Sequence, residues 1–485
     1  MINIRFIIKI ICKLIFLESL FLAICFIVAL FYGESDLYAF AISAIISAAI
    51  SIIVNSSIKV NDFVLAKRDG YFIVTFAWII ISLFGSLPFI IGNTIPSFAN
   101  AFFETMSGFT TTGSTIMDNI EAMPHATLFW RSLTQWLGGL GIIVLFLALI
   151  QSLGIEGRDL YVAETTGPTH SKITNTFSST ARSLWMIYVG LTLLEAILLY
   201  LGDMSIFDAI CNSFTTMATG GFSTKQASIA YWSSPYIQYV ITFFMFVAGV
   251  NFSLTYGLIT QFDWKKFLKD NEFKVYLGIV SIATLIISIN LYKNNWQNGD
   301  IEHIFRDAIF VVVTTITTTG FATADYMQWS PVIWCVIIII MCIGACASST
   351  AGGPKVIRIS LLFKNSLAEL ERIIHPNAIT TVKYNKKVVP ADTISNIMGF
   401  FTLFILIIVI STLILVICGN DLMTSFSGVI TSISNVGPGF GTIGPSETFS
   451  HMNDFSKIFL AFIMLIGRLE IFTVLVIFTK SFWKN

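Results

Sequence analysis

Four short runs in this chain carry the same uncharged chemistry. They read "SGFTTTGSTI" (107–116), "TTMATGGFST" (215–224), "TTITTTGFAT" (314–323) and "TSISNVGPGF" (431–440). Aligned on one glycine each, they bring Gly113, Gly221, Gly320 and Gly437 into register. The residues just before are Thr111 and Thr112, Thr219 and Gly220, Thr318 and Thr319, and Asn435 and Val436. Gly220 and Gly221 are adjacent, so the second run admits either register. With no Asp, Glu, Lys, Arg or His in any run, only backbone carbonyl and side-chain oxygen or amide groups remain to meet a solute. Glycine adopts positive φ and can turn a carbonyl inward with no Cβ in the way. A ring of such oxygens replaces part of the hydration shell of a monovalent cation, as in potassium-channel filters. A lone Thr-Thr-Gly is an ordinary loop. Four of them in matching contexts predict one cation-coordinating site.

The matching contexts are what must position them. Each run follows a short, partly apolar segment: "FANAFFETMSGF", "IFDAICNSFTTM", "HIFRDAIFVVVT" and "DLMTSFSGVITS". Roughly a dozen residues at about 1.5 Å rise cannot cross a hydrocarbon core of about 30 Å, so each segment is a re-entrant half-helix. Its carboxyl end, with partial negative charge, would point at the site. Long apolar stretches flank every unit. First helices are predicted near 72–92, 182–201, 272–292 and 392–418, and second spanning helices starting near 126, 234, 330 and 455. An extra pair near 6–32 and 36–55 precedes them. The first of these is read as a retained helix, because no small-residue cleavage site follows it. The predicted fold is an all-α polytopic membrane protein. It has an amino-terminal helix pair (1–60) and four pseudo-symmetric repeats (61–160, 161–265, 266–365 and 366–485) around one central pore. Irregular backbone at membrane depth is tolerated only where protein or water covers it, so the glycine runs should line that pore.

Composition agrees. Of 485 residues, 55% are hydrophobic and 12% charged, against about a quarter charged in soluble domains. Nothing shows the ten-residue alternation of a membrane barrel. A formal net charge of zero gives no argument for a nucleic-acid partner. Most Lys and Arg lie in one alternating set of connections, leaving Arg131, Lys225, Lys293, Arg306 and Lys457 to the other. The positive-inside rule then places both termini in the cytoplasm and every glycine run on the outer side. The seven cysteines fall mostly in apolar runs and read as small hydrophobes. No P-loop and no metal or nucleophile–base spacing around the five histidines points to an enzyme.

Two features suggest a gate. In "GACASSTAGGP" (344–354), the residues Gly344, Ser348, Ser349, Thr350, Gly352 and Gly353, with Pro354, interrupt a run that should span. They read either as a kinked helix packed through small residues or as a break beneath the site. Arg468 lies inside the last apolar run, where a charge costs roughly 2.5–3.5 kcal/mol on insertion scales, so it must face a cavity or a partner. Glu470 is two residues away on a different face and is a poor local partner. The alternative to a channel is a carrier coupled to H⁺ or Na⁺ with alternating access. That needs a titratable group at mid-membrane, and only the Arg468–Glu470 region is expected to supply one.

These residues resemble the Trk/Ktr/HKT superfamily of potassium uptake proteins, and its TrkH branch most of all. The resemblance runs through "SGFTTTGST", "WRSLTQWLGGLGI" (130–142), "ATGGFST", "TTTGFAT", "STAGG" (349–353), "HPNA" (375–378), "NVGPGFG" and "GRLEIFTVLV" (467–476), and covers essentially the whole chain. It implies a selectivity filter at the four glycines, an intramembrane gating loop at 344–354, and Arg468 as a positive barrier beneath the filter. Pro354 departs from the aliphatic residue expected there. It further implies potassium as the transported ion, with no cofactor in this chain. Also implied are a multi-pass location in the cytoplasmic (inner) membrane, a homodimer, and a cytosolic nucleotide-binding regulatory subunit of the TrkA type. Glycine in all four filter places favours K⁺ by analogy, since serine at the first accompanies Na⁺ transport in the plant branch. The mixed-charge stretches 151–182 and 364–390 are candidate docking surfaces.

Overall fold

A computed structural model of the chain describes residues 4–58, 67–141, 177–377, 380–385 and 387–484. Among the described residues, six helices are long and apolar enough to cross a membrane: Ile4–Tyr32, Leu37–Ser57, Arg68–Ile91, Thr180–Leu201, Asn271–Lys293 and Ala391–Ile417. Among the described residues the only sheet is a hairpin pairing Lys383 with Val388 and Tyr384 with Lys387. The spanning helices expose Ile, Leu and Phe outward, as on Ala391–Ile417, where Ile405, Val409 and Leu413 are exposed. On the second helix the inward stripe is small and polar, which lets backbones approach. On Leu37–Ser57 the stripe is Ser43, Ser47 and Ser51, and the Ser51 hydroxyl donates to the Cys12 carbonyl of the first helix at 2.6 Å.

Four shorter helices, Phe98–Phe109, Ile206–Met217, Ile301–Ile316 and Leu422–Ser434, occupy the half-helix positions. Their amino ends carry Ser97, Ser205, Asp300 and Asp421. The last three accept a first-turn amide with the side chain, satisfying a donor that the helix leaves orphaned. Their carboxyl halves are almost wholly buried.

The second helix of each unit starts at His125, Pro235, Pro331 and Asp454, within a residue of expectation. They do not continue as straight spans, and this corrects the sequence reading. Pro235–Ala248 is followed by Phe252–Gln261 at 103°, and Asp454–Arg468 by Phe472–Phe478 at 111°. Pro331–Met341 stops, and helix resumes only at Val356. His125–Gly139 ends against Leu140, with Gly141 at φ +89°; the expected continuation of that helix, and most of the 151–182 stretch, lie outside the described residues. The breaks have a packing reason. A Cβ on Gly138 would strike the Phe109 carbonyl, on Gly467 the Ile433 carbonyl, and on Gly249 the Thr317 side chain. Three of the four second helices thus yield where the backbone passes close to the end of a half-helix.

Candidate functional site

All four half-helices end in one motif. The amides of Thr111, Thr219, Thr318 and Asn435 donate three residues back, to Gly108, Thr216, Thr315 and Ser432, at 2.9, 2.9, 3.1 and 3.3 Å. The next amides, of Thr112, Gly220, Thr319 and Val436, donate five residues back at 2.9, 2.8, 2.8 and 2.9 Å. This is the Schellman ending, and it puts one residue of each run in the left-handed region: Thr111, Thr219, Thr318 and Asn435 at φ +54°, +53°, +56° and +54°. Asn tolerates that conformation, but β-branched threonine does not and costs of order 1–3 kcal/mol at each such position.

Two residues on, Gly113, Gly221, Gly320 and Gly437 have φ +83°, +83°, +83° and +101°. This identifies Gly221, not Gly220, as the counterpart in the second run. The four runs meet in a closed ring. A Cβ on Gly113 would strike the Gly220 carbonyl, on Gly221 that of Thr319, on Gly320 that of Val436, and on Gly437 that of Thr112. Each glycine backs onto the carbonyl that precedes the glycine of the next run, and the fourth returns to the first. All four glycines line one cavity. A ring of this kind can present neutral oxygens to a single cation from four sides.

Side chains stiffen the ring. Gln135 donates to the Gly220 carbonyl at 2.6 Å and accepts from the Phe222 amide at 3.0 Å. Asn435 donates to the Thr112 hydroxyl at 3.0 Å and to the Met464 carbonyl at 3.0 Å. Ser114 donates to the Gly437 carbonyl at 3.2 Å. Behind the first two runs lies a buried ion pair, Arg131 to Glu104 at 2.8 Å, with side-chain exposures of 1% and 0%. Glu104 also accepts from Thr115 and the Ile116 amide, and Arg131 reaches the Ser223 carbonyl and lies over the Phe222 ring.

Directly beneath sits the 342–355 segment, as non-helical backbone rather than a kinked helix. Its polar groups are answered by the break after Ala248 and by a spanning helix: Cys346 N–H donates to Gly249 at 3.0 Å, Phe252 N–H to Ser348 at 3.0 Å, and Ala347 N–H to the Glu272 carboxylate of Asn271–Lys293 at 2.6 Å. Gly352 N–H donates to the Thr318 hydroxyl at 2.7 Å, and a Cβ there would strike Ser434 and Asn435. Gly344 and Gly353 take positive φ and pack on one another, Ser349 caps back onto Cys346, and the Thr350 hydroxyl reaches Ala248. Arg468 joins three parts. It donates to the Thr350 carbonyl at 2.8 Å, to the Thr111 hydroxyl at 3.1 Å, and to the Gly138 and Gly139 carbonyls. Glu470 pairs instead with Arg358. The strained threonines have a purpose here: the left-handed turn aims the Thr111 and Thr318 hydroxyls at Arg468 and at Gly352.

The TrkH family model, described as a cation transport protein, matches residues 38–484. The chain belongs to the TrkH family. It is 37% identical over 483 residues to the Trk system potassium uptake protein TrkH of Escherichia coli K12, with 99% of each chain covered. It is 34% identical over 476 residues to the Trk system potassium uptake protein TrkG of the same strain, with 97% of each covered. The crystal structure of the potassium transporter TrkH from Vibrio parahaemolyticus superposes with a TM-score of 0.90 at 34% identity, covering 99% of this chain and 100% of that one. The all-α, multi-pass membrane fold expected from the sequence is therefore the fold of this TrkH-family chain.

Sequence reasoning missed the bracing groups. Glu104 lies in a half-helix and Gln135 within the 130–142 stretch, but neither was assigned a role from the sequence, and only their pairing across the fold gives them one. It also named Arg468–Glu470 as the only mid-membrane titratable region. That is corrected: Glu18, Glu104 and Glu195 are all buried within helices of this membrane fold, away from the helix ends. Each is a single acidic residue in an apolar helix, and an intramembrane carboxyl of that kind was itself the available signal.

Proposed function

We propose that this protein takes up potassium ions across the cytoplasmic membrane, through a filter formed at Gly113, Gly221, Gly320 and Gly437 by four pseudo-symmetric units. The observation that carries the reading is the closed ring, in which each filter glycine backs onto the next run's carbonyl. Relatives named as potassium uptake proteins over the full chain length support the choice of ion, and a transporter of that class is not an enzyme. The 344–354 loop acts as the gate, with Arg468 holding it closed and placing positive charge in the ion's path. Both termini are cytoplasmic, the chain pairs as a homodimer, and a cytosolic nucleotide-binding subunit controls the gate.

The test is ion flux into proteoliposomes, K⁺ against Na⁺, with and without a proton gradient. In Gly113→Ser the added Cβ meets the Gly220 carbonyl at a φ where side chains are strained. A strain of about 1–3 kcal/mol corresponds to a loss of about five- to hundredfold in K⁺ flux, with the K⁺/Na⁺ ratio falling toward one. An unchanged ratio would remove the filter from this position. Flux that requires the proton gradient would favour the coupled carrier, for which Glu18 and Glu195, both fully buried, are the candidate groups.

Arg468→Ala removes the cation below the ring and the tie to Thr350. K⁺ flux is expected to rise several-fold in the absence of any regulatory subunit. Flux at or below the parent's value, in protein that remains monodisperse, would mean that Arg468 is only a structural clamp.

A further inference from the structure

The cavity that holds the four glycines is also lined by Arg131, Lys225 and Glu447. The Arg131 charge is met by Glu104 at 2.8 Å. Lys225, four residues after Gly221, is different: its ammonium lies over the Tyr231 ring, 4.6 Å from the centroid. Tyr231 ends the short helical turn Ser228–Tyr231. That turn is tied to the third run, with Ala230 N–H donating to the Ala322 carbonyl at 3.0 Å. The parking place is thus held at a constant position relative to the ring. The lysine backbone is tied as well, its carbonyl accepting from Ser228 N–H at 3.0 Å and its amide donating to the Ser223 hydroxyl at 3.2 Å. Only the flexible stem is left to move. Glu447 comes from the loop after the fourth run, across the ring from the second.

We propose that Lys225 is a tethered cation that tunes ion entry. Parked on Tyr231 it leaves the mouth clear, and swung toward the ring it raises the potential that an arriving cation must climb. A contact between an ammonium and an exposed aromatic face is weak enough to break and re-form, and a strongly hydrated point charge on a four-carbon stem suits such movement. The proposal rests on the potassium-uptake reading and names a rate-determining residue within it. A single charge at a mouth acts through its field, so its effect must follow the Debye length. That length is about 30 Å at 0.01 M salt and about 3 Å at 1 M.

The experiment is initial K⁺ uptake at limiting K⁺ into proteoliposomes of net-neutral lipid, with ionic strength set by choline chloride. Lys225→Gln is expected to raise the rate about two- to fivefold near 0.01 M, shrinking toward onefold near 1 M, with the rate at saturating K⁺ unchanged. Lys225→Arg keeps the parent's rate and salt dependence. Tyr231→Leu, which unparks the ammonium, lowers uptake in the parent and leaves it unchanged in the Lys225→Gln background. A Lys225→Gln rate equal to the parent's at low salt overturns the proposal. So does a gain that is the same at both salts, or a Tyr231→Leu effect that persists without Lys225, since these report packing rather than charge. A parent that carries no K⁺, or a Gly113→Ser variant that carries it like the parent, strikes the uptake reading itself. A conducting, Gly113-sensitive parent with a flat Lys225→Gln response strikes Lys225 alone.

Discussion

Replacing Gly221 with alanine is expected to reduce K⁺ uptake about a hundredfold while the protein remains folded and inserted. Gly221 has φ +83° and lies against the Thr319 carbonyl of the next run. Alanine brings two costs there. The backbone conformation is strained by about 1–3 kcal/mol, and the new methyl displaces the Thr319 carbonyl, one of the oxygens proposed to coordinate the ion. Each 1.4 kcal/mol is a factor of about ten, so strain and a lost ligand together account for two decades. The same substitution at Gly278, on a spanning helix with nothing within 4 Å of the added Cβ, should leave uptake unchanged and serves as the control. Uptake of a potassium tracer into proteoliposomes measures both. Parent-like flux in Gly221→Ala would show that the ring does not handle the ion.

The second large effect is expected at the buried pair behind the first two runs. Glu104→Gln leaves the Arg131 guanidinium, 2% exposed, without its countercharge. Breaking a buried pair from one side costs about 3–5 kcal/mol, whereas replacing both partners with apolar residues is often neutral or better. Glu104→Gln should therefore lower the thermal midpoint of the detergent-solubilised protein clearly, and Glu104→Leu with Arg131→Met should recover much of it. The double variant would still transport poorly. It loses the hydrogen bonds to Thr115, the Ile116 amide and the Ser223 carbonyl that hold the chain just after two candidate filter glycines. The expected pattern is stability restored without flux. A Glu104→Gln variant as stable as the parent would mean that the pair is not a brace.

The bracing residues explain why so rigid a ring can be built from small side chains. Schellman endings orient the last peptide units, but three of the four place threonine at positive φ, which the local chain does not favour. At two of the three the strain is offset by contacts from elsewhere: Arg468 on Thr111 and Gly352 on Thr318. The parts proposed as gate are therefore the same parts that hold the proposed filter in shape. Moving the 342–355 segment must disturb Thr318, and moving Arg468 must disturb Thr111.

Length and hydropathy alone determined most of the architecture, because in lipid each span must satisfy its own backbone. The starts of all eight flanking helices, the four half-helices and the paired amino-terminal helices were legible to within a few residues. The glycine quartet was legible too, since only glycine combines positive φ with a backbone approach that excludes a Cβ. Three things required the tertiary structure. The second register fell to Gly221 because only that residue lies against Thr319. The breaks after Ala248 and Arg468 were invisible in apolar runs, because the cause is a half-helix from another part of the chain pressing on Gly249 or Gly467. The partners of Glu104, Gln135 and Arg468 were hidden for the same reason: local sequence states that a polar group must be satisfied, and only the folded chain decides by whom.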